Sequence, residues 1–272
     1  MIDGKAAALS GIAYVTHVHG DTCTGTLLAS RLVLTAKHCV FTHGASEDGA
    51  LDLPGFRVGF GPDDTALAWR NVAALDWIGA PEALSVADAA AKGEDVALLT
   101  LDHDAPSHEP PRDLALDFAA VQDQAVRVVG YGLSDAAGGG AGTLRVGAAH
   151  ETGFDPDTGV LQVSGKSACF GDSGGPLLEQ GGERVLGVIG EIGGSDGAHF
   201  CDVGLTFAAT AANAHVRRFL AHACAAIGGC GPRVTSVRDA SARESDDASE
   251  AIADDAGHAP SARDSGSPDA GT

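Results

Sequence analysis

Short apolar runs separated by turn residues recur through the first 200 or so positions. Gly11–Val18, Thr24–Ala29 and Arg31–Ala36 read as strands, with Val15, Leu27, Leu28, Val33 and Leu34 as candidate core residues. Phe56–Phe60 and Val72–Ile78 continue the series, and Glu94-Asp95-Val96-Ala97-Leu98-Leu99 opens another apolar run. Val126–Gly132, Thr143–Ala149, Gly159–Val163, Pro176–Leu178 and Val185–Gly190 complete it. Many short strands with turn signals between them predict an all-β barrel architecture. The period changes in Thr210–Ile227. Val216, Phe219, Leu220, Ala223 and Ile227 fall at helical spacing, which predicts an amphipathic helix capped by Thr210 or Asn213.

Between these runs lie polar connections. Residues 42–56 are rich in Gly, Asp and Ser and read as a surface loop, and His43 within it has no assigned role. His103–Arg112, polar and proline-bearing, joins the two halves. Asp135–Gly142 is Gly-rich and exposed to cleavage. From Pro232 onward large apolar side chains almost vanish, so 231–272 is expected to be a disordered tail. That tail holds nine acids and four arginines, a net −5, so residues 1–230 carry −15 of the total −20. Phosphate binding needs a basic patch, so this balance argues against nucleic acid. It suits solubility first, and attraction of cationic partners second. No apolar run approaches a membrane span. Met1-Ile2-Asp3-Gly4-Lys5 lacks the basic and apolar segments of a signal peptide.

The run Cys169-Phe170-Gly171-Asp172-Ser173-Gly174-Gly175-Pro176 sets one hydroxyl among small residues beside an acid. Such a turn brings backbone N–H groups close to a bound atom. Ser173 can attack a carbonyl while the N–H groups of Gly171 and Ser173 face the resulting oxyanion. The serine needs a base, and His38 in Thr35-Ala36-Lys37-His38-Cys39 is suited to that near neutral pH. The imidazole in turn needs a carboxylate, for which Asp95 stands ready. The chain order His38, Asp95, Ser173 differs from the subtilisin and α/β-hydrolase orders.

On these motifs the chain resembles the trypsin-like (chymotrypsin-fold) serine proteases from about residue 2 to about residue 227. The resemblance implies two antiparallel six-stranded β-barrels with a C-terminal helix. Barrel 1 would cover about 11–112, barrel 2 about 113–209 and the helix about 210–227, together a peptidase domain over 1–230. It implies His38 as general base, Asp95 as its orienter and Ser173 as nucleophile, with Gly171 and Ser173 forming the oxyanion hole. It places Cys23 with Cys39 and Cys169 with Cys201 as disulfides, leaving Cys224 and Cys230 for each other. Three bridges imply an oxidising compartment, hence a secreted or periplasmic protein.

Ile2-Asp3-Gly4 resembles the start of active family members, where a freed isoleucine amine pairs with the acid before the serine, here Asp172. That implies a zymogen, an activating protease, and blockage by Met1. The resemblance also sets Ser167 at the floor of the specificity pocket, with Phe170 at its rim. Gly190 and Ile192 match the substrate-binding strand and one pocket wall, and Gly204 matches the opposite wall. A neutral Ser167 argues for medium or small apolar side chains over cations, although Asp202 or Glu191 would attract a basic one. The expected activity is therefore serine endopeptidase, acting as a monomer on protein or peptide substrates without a cofactor. The alternative is a latent protease-fold binding protein, or pseudoprotease. No metal site is expected. His17 and His19 alternate on one strand face, and a solvated face accounts for them better than a metal. Acidic loop residues such as Asp63 and Asp64 leave calcium open. His215 and His222 are expected at the surface.

Overall fold

A computed structural model describes residues 2–20, 22–44, 52–79, 86–116, 125–135, 138–165, 168–182, 184–193, 201 and 204–230. By internal contacts the chain divides into Met1–Arg233 and Val234–Thr272. The expected acidic tail therefore lies outside the described residues, as do Ser167 and Asp202.

Strands β2 (Ile12–His17), β3 (Thr22–Ala29), β4 (Leu32–Thr35), β5 (Phe56–Phe60), β6 (Ala68–Trp77) and β7 (Ala97–Leu101) close a barrel in the order β2-β3-β4-β7-β6-β5. All their pairings are antiparallel. Strands β8 (Ala125–Gly130), β9 (Arg145–Asp155), β10 (Val160–Gly165), β11 (Pro176–Glu179), β12 (Val185–Gly193) and β13 (Leu205–Thr210) form the second, closed by the β8–β9 pairing. The expected pair of six-stranded antiparallel barrels is what the chain builds. Where β10 pairs β9 only from Ala149 onward, the first residues of β9 keep one side open. Strand β1 (Lys5–Ala6) is added outside the second barrel, pairing Lys5 with Val146 and Ala6 with Arg145 on β9.

The sequence pattern explains which strands sit deepest. In β4 all four residues are buried and in β3 six of eight, because these strands are covered on both faces. Their Leu27, Leu28, Val33 and Leu34 join Phe56, Phe60 and Leu99 in one core. Val126, Val128, Leu161, Val163, Leu177 and Leu186 make the second. A third cluster, with Ile12, Tyr14, Val129, Tyr131 and Leu178, joins the two barrels.

Four elements were not legible in the pattern. Residues Lys37–Gly44 form helix α1, running from just past the expected strand into the loop expected from residue 42, and Val86–Ala91 form helix α2. The alanines of α2 favour helix intrinsically. Strand β13 and the two-residue β1 also went unread; β1 is too short to show a period. The C-terminal helix, α3, runs Ala214–Ala226 rather than from Thr210. Its cap is Asn213, whose Oδ1 accepts from His215 N at 2.8 Å and Val216 N at 3.3 Å. Thr210 is instead the last residue of β13, its hydroxyl donating to Gly159 O at 2.7 Å. Val216, Leu220 and Cys224 face inward. Ile227 is 47% exposed at the C-cap, outside the apolar stripe expected to include it.

Candidate active site

Strand β4 delivers the chain straight into α1, so His38 stands at the mouth of the first barrel. Asp95 immediately precedes Val96 and β7, which pairs with β4, and that pairing brings the two residues together. Both carboxylate oxygens are used: Oδ2 accepts from His38 Nδ1 at 2.7 Å and Oδ1 from the His38 backbone N–H at 2.8 Å. A carboxylate only accepts, so Nδ1 carries the proton and Nε2 keeps its lone pair. The Asp95 side chain is 1% exposed and that of His38 14%. The acid is thus shut away from water while the imidazole still reaches the cleft.

Ser173 lies between β10 and β11 and is brought to the same place by the first barrel. Its carbonyl accepts from Thr24 N at 2.8 Å and lies 3.6 Å from Cys39 Sγ, which is itself 3.8 Å from His38 Nε2. No hydrogen bond joins Ser173 Oγ to His38 Nε2 among the described residues, and contacts of this kind tighten when substrate fills a site. Around the serine the backbone donors separate into two sets. Those of Asp172, Gly174 and Gly175 donate to Cys169 O, Ile189 O and Asp172 O. Those of Gly171 and Ser173 meet no acceptor among the described residues. Gly171 and Ser173 are half-buried, so these two N–H groups are open to a partner from outside the turn.

Asp172 is fully buried. Its Oδ1 accepts from Gly132 N and its Oδ2 from Cys169 N, each at 2.9 Å. Burial pushes its carboxyl above the usual range, while the charge of the chain's amino terminus, a hydrogen bond to it and these two amides pull the other way. Ile2 is half-buried. The disulfides are Cys23–Cys39, Cys169–Cys201 and Cys224–Cys230. The cysteines beside His38 are therefore spent and cannot serve as metal ligands.

Of the residues expected to frame a specificity pocket, Phe170 is 62% exposed and Ile192 packs against the second core. Gly204 O accepts from Gly165 N at 3.0 Å. Gly190 lies against Asp95: a Cβ there would stand 3.0 Å from Asp95 Oδ2. A cavity of about 430 Å³ opens nearby, walled by Glu191, Asp155, Gln162, Phe154 and Phe207.

Two contributors were missed from sequence. Thr24, fully buried, donates its hydroxyl to Gly171 O at 2.8 Å and receives Tyr131 N at 3.1 Å, so it holds the serine loop onto the first barrel. Nothing in a lone threonine announces that. Lys37 is 4% exposed, donates to Ile78 O at 3.0 Å and lies over the Phe41 ring. Burial lowers its ammonium, against the raising pull of the Asp95 and Glu94 carboxylates. A charged residue closing an apolar run was a readable signal.

The family model described as Trypsin matches residues 2–212. The chain belongs to the trypsin family. No curated protein matches it. Among solved structures, human heparin binding protein is similar at 18% identity and TM-score 0.61, covering 82% of this chain and 96% of that one. A Glu endopeptidase is similar at 21% identity and TM-score 0.64, covering 81% and 96%. HL collagenase is similar at 20% identity and TM-score 0.59, covering 78% and 94%. At these identities the likeness is one of fold. Membership of the trypsin family supports a serine peptidase, with protein as its substrate class. Among the described residues no helix is long and apolar enough to cross a membrane.

Proposed function

We propose that the chain is a serine endopeptidase in which Ser173 attacks, His38 takes the proton at Nε2, and Asp95 holds the imidazole and its charged form. The Gly171 and Ser173 N–H groups are the observation that carries the reading, since a turn that uses its neighbours' donors but leaves these two without an acceptor among the described residues suits a developing oxyanion. The Ser173 Oγ–carbonyl bond forms, the amine leaves with the proton from His38, and water releases the acyl group by the same steps in reverse. The pocket reading stands with it: Phe170 at the rim, with Gly190, Ile192, Gly204 and Ser167 framing a medium or small apolar side chain. The active form begins at Ile2, its amine paired with Asp172 and released by another protease. The reading includes a monomer exported to an oxidising compartment, which the three disulfides support.

The test compares chains starting at Met1 and at Ile2, each with a peptide library and a fluorophosphonate probe. Ser173→Ala should lose labelling and lower kcat by about 10⁶-fold, the scale of nucleophile loss in such triads. Cleavage retained by Ser173→Ala would refute the mechanism. Equal activity of both starts would remove the amino-terminal switch and keep the enzyme. The second reading is a binding protein on this scaffold, and the heparin binding protein among the similar folds favours keeping it in view. A net charge of −20 opposes a polyanionic ligand for this chain. Silence of both starts toward the probe would decide for it.

A further inference from the structure

His17 ends β2 and does not lie on a solvated face: its side chain is fully buried. Its Nε2 looks at two oxygens of one residue, Asp52 O at 3.2 Å and Asp52 Oδ2 at 3.5 Å. The first stands at the long end of the N–H···O range and the second beyond it. They are close to the separation of atoms that share a metal ion. Ligands held at about 2.0–2.1 Å in a tetrahedron stand roughly 3.3 Å apart. Asp52 precedes the short 3₁₀ turn Leu53–Gly55 and makes no side-chain cap bond to it, so its carboxylate is uncommitted there. The exposed His19 completes the group. Its ring centroid is 4.8 Å from that of His17, and one donor atom from each of His17, His19 and Asp52 lies within 4.8 Å of the others. Gly55 keeps the space open: a Cβ there would fall 2.2 Å from His17 Nε2 and 2.7 Å from Asp52 Oδ2.

We infer that His17, His19 and Asp52 bind one divalent transition-metal ion of the zinc class at the tip of the β2–β3 hairpin. Two imidazoles and one carboxylate suit zinc; calcium would need six or more oxygens. The ion takes the place of the His17 Nε2 proton, which moves to Nδ1. The 3.4 Å contact from His19 N to that Nδ1 is given up, a small loss at such length. The exposed His19 side chain turns inward by a rotamer change, and water fills the remaining position. The net charge of −20 concentrates cations around the chain. This site is separate from the proposed catalytic group and does not depend on peptidase activity.

The experiment is a zinc titration of the metal-free full chain by calorimetry at neutral pH, repeated with cobalt, whose visible spectrum reports coordination. One ion per chain is expected, with the visible bands of a cobalt ion held by fewer than six nitrogen and oxygen ligands. His19→Ala and Asp52→Asn should each weaken binding at least tenfold, whereas His103→Ala, which alters an exposed His–Asp pair elsewhere, should not. Zinc should also raise the melting temperature of the unaltered chain and not that of His19→Ala, whose exposed position lets it fold. Absence of binding at millimolar zinc overturns the inference. So does unchanged affinity in His19→Ala and Asp52→Asn, or binding that survives both and is lost in His38→Ala.

Discussion

At the scale of single residues, the Asp95 carboxylate does two jobs with two oxygens. It anchors the His38 backbone and fixes the ring tautomer. Asparagine can keep only one. If its oxygen takes the backbone N–H, its amide group faces Nδ1, which must then accept, and the ring proton moves to Nε2, where the base is needed. Asp95→Asn should therefore fold normally and lower kcat by about 10⁴-fold, with little change in KM, in a steady-state assay on a cleaved peptide. Asp95, His38 and Ser173 were singled out as candidates because each stands in its own distinctive run, and the structure joins the first two by hydrogen bonds. Thr24 was not readable: its hydroxyl matters only once two barrels meet around it. His17 was misread for a related reason. Alternation along a strand marks which residues share a face, and burial of that face depends on the 52–55 segment that folds over it.

At the scale of elements, the serine turn is fixed by the space left for it. Gly174 has φ +79°, and a Cβ there would lie 2.1 Å from Thr35 Oγ1 and 2.3 Å from Thr24 O. Neither neighbour has room to retreat, since both threonines are buried and bonded to each other at 2.9 Å. Gly174→Ala should cost about 3 kcal/mol or more, read as a lower denaturant midpoint, and should slow probe labelling of Ser173. Strands with strong apolar runs, such as β4 and β5, announced themselves. Strand β13 did not, because its Leu205-Thr206-Phe207-Ala208-Ala209-Thr210 abuts a helix and its period is lost in the transition. The α3 stripe was plain, but both ends were overrun: Thr210 and Asn213 both have capping side chains, and Ile227 lies at the C-cap.

At the scale of the whole molecule, the proposed catalytic group exists only where the barrels touch. The first supplies His38 and Asp95, the second Ser173, and Thr24 links them through Gly171 O and Tyr131 N. Thr24→Val keeps the shape and removes the hydroxyl. It should cost about 1–3 kcal/mol by leaving a buried donor and acceptor unmatched. It should also reduce the probe-labelling rate, because the loop bearing the oxyanion donors loses its hold. An unchanged labelling rate would show that the remaining ties, the Ile12–Tyr14–Tyr131 packing among them, keep the barrels in register without it. One further tie crosses the fold. Lys5 and Ala6 pair with Val146 and Arg145, and Ala7 N donates to Leu144 O at 3.0 Å. A chain emerging from the ribosome in order makes this strand some 140 residues before the partner that will receive it. Throughout that interval the leading segment has no berth. The Lys5–Ala6 pairing forms only after β9 exists, so a tie at the start of the chain has to wait for the second barrel.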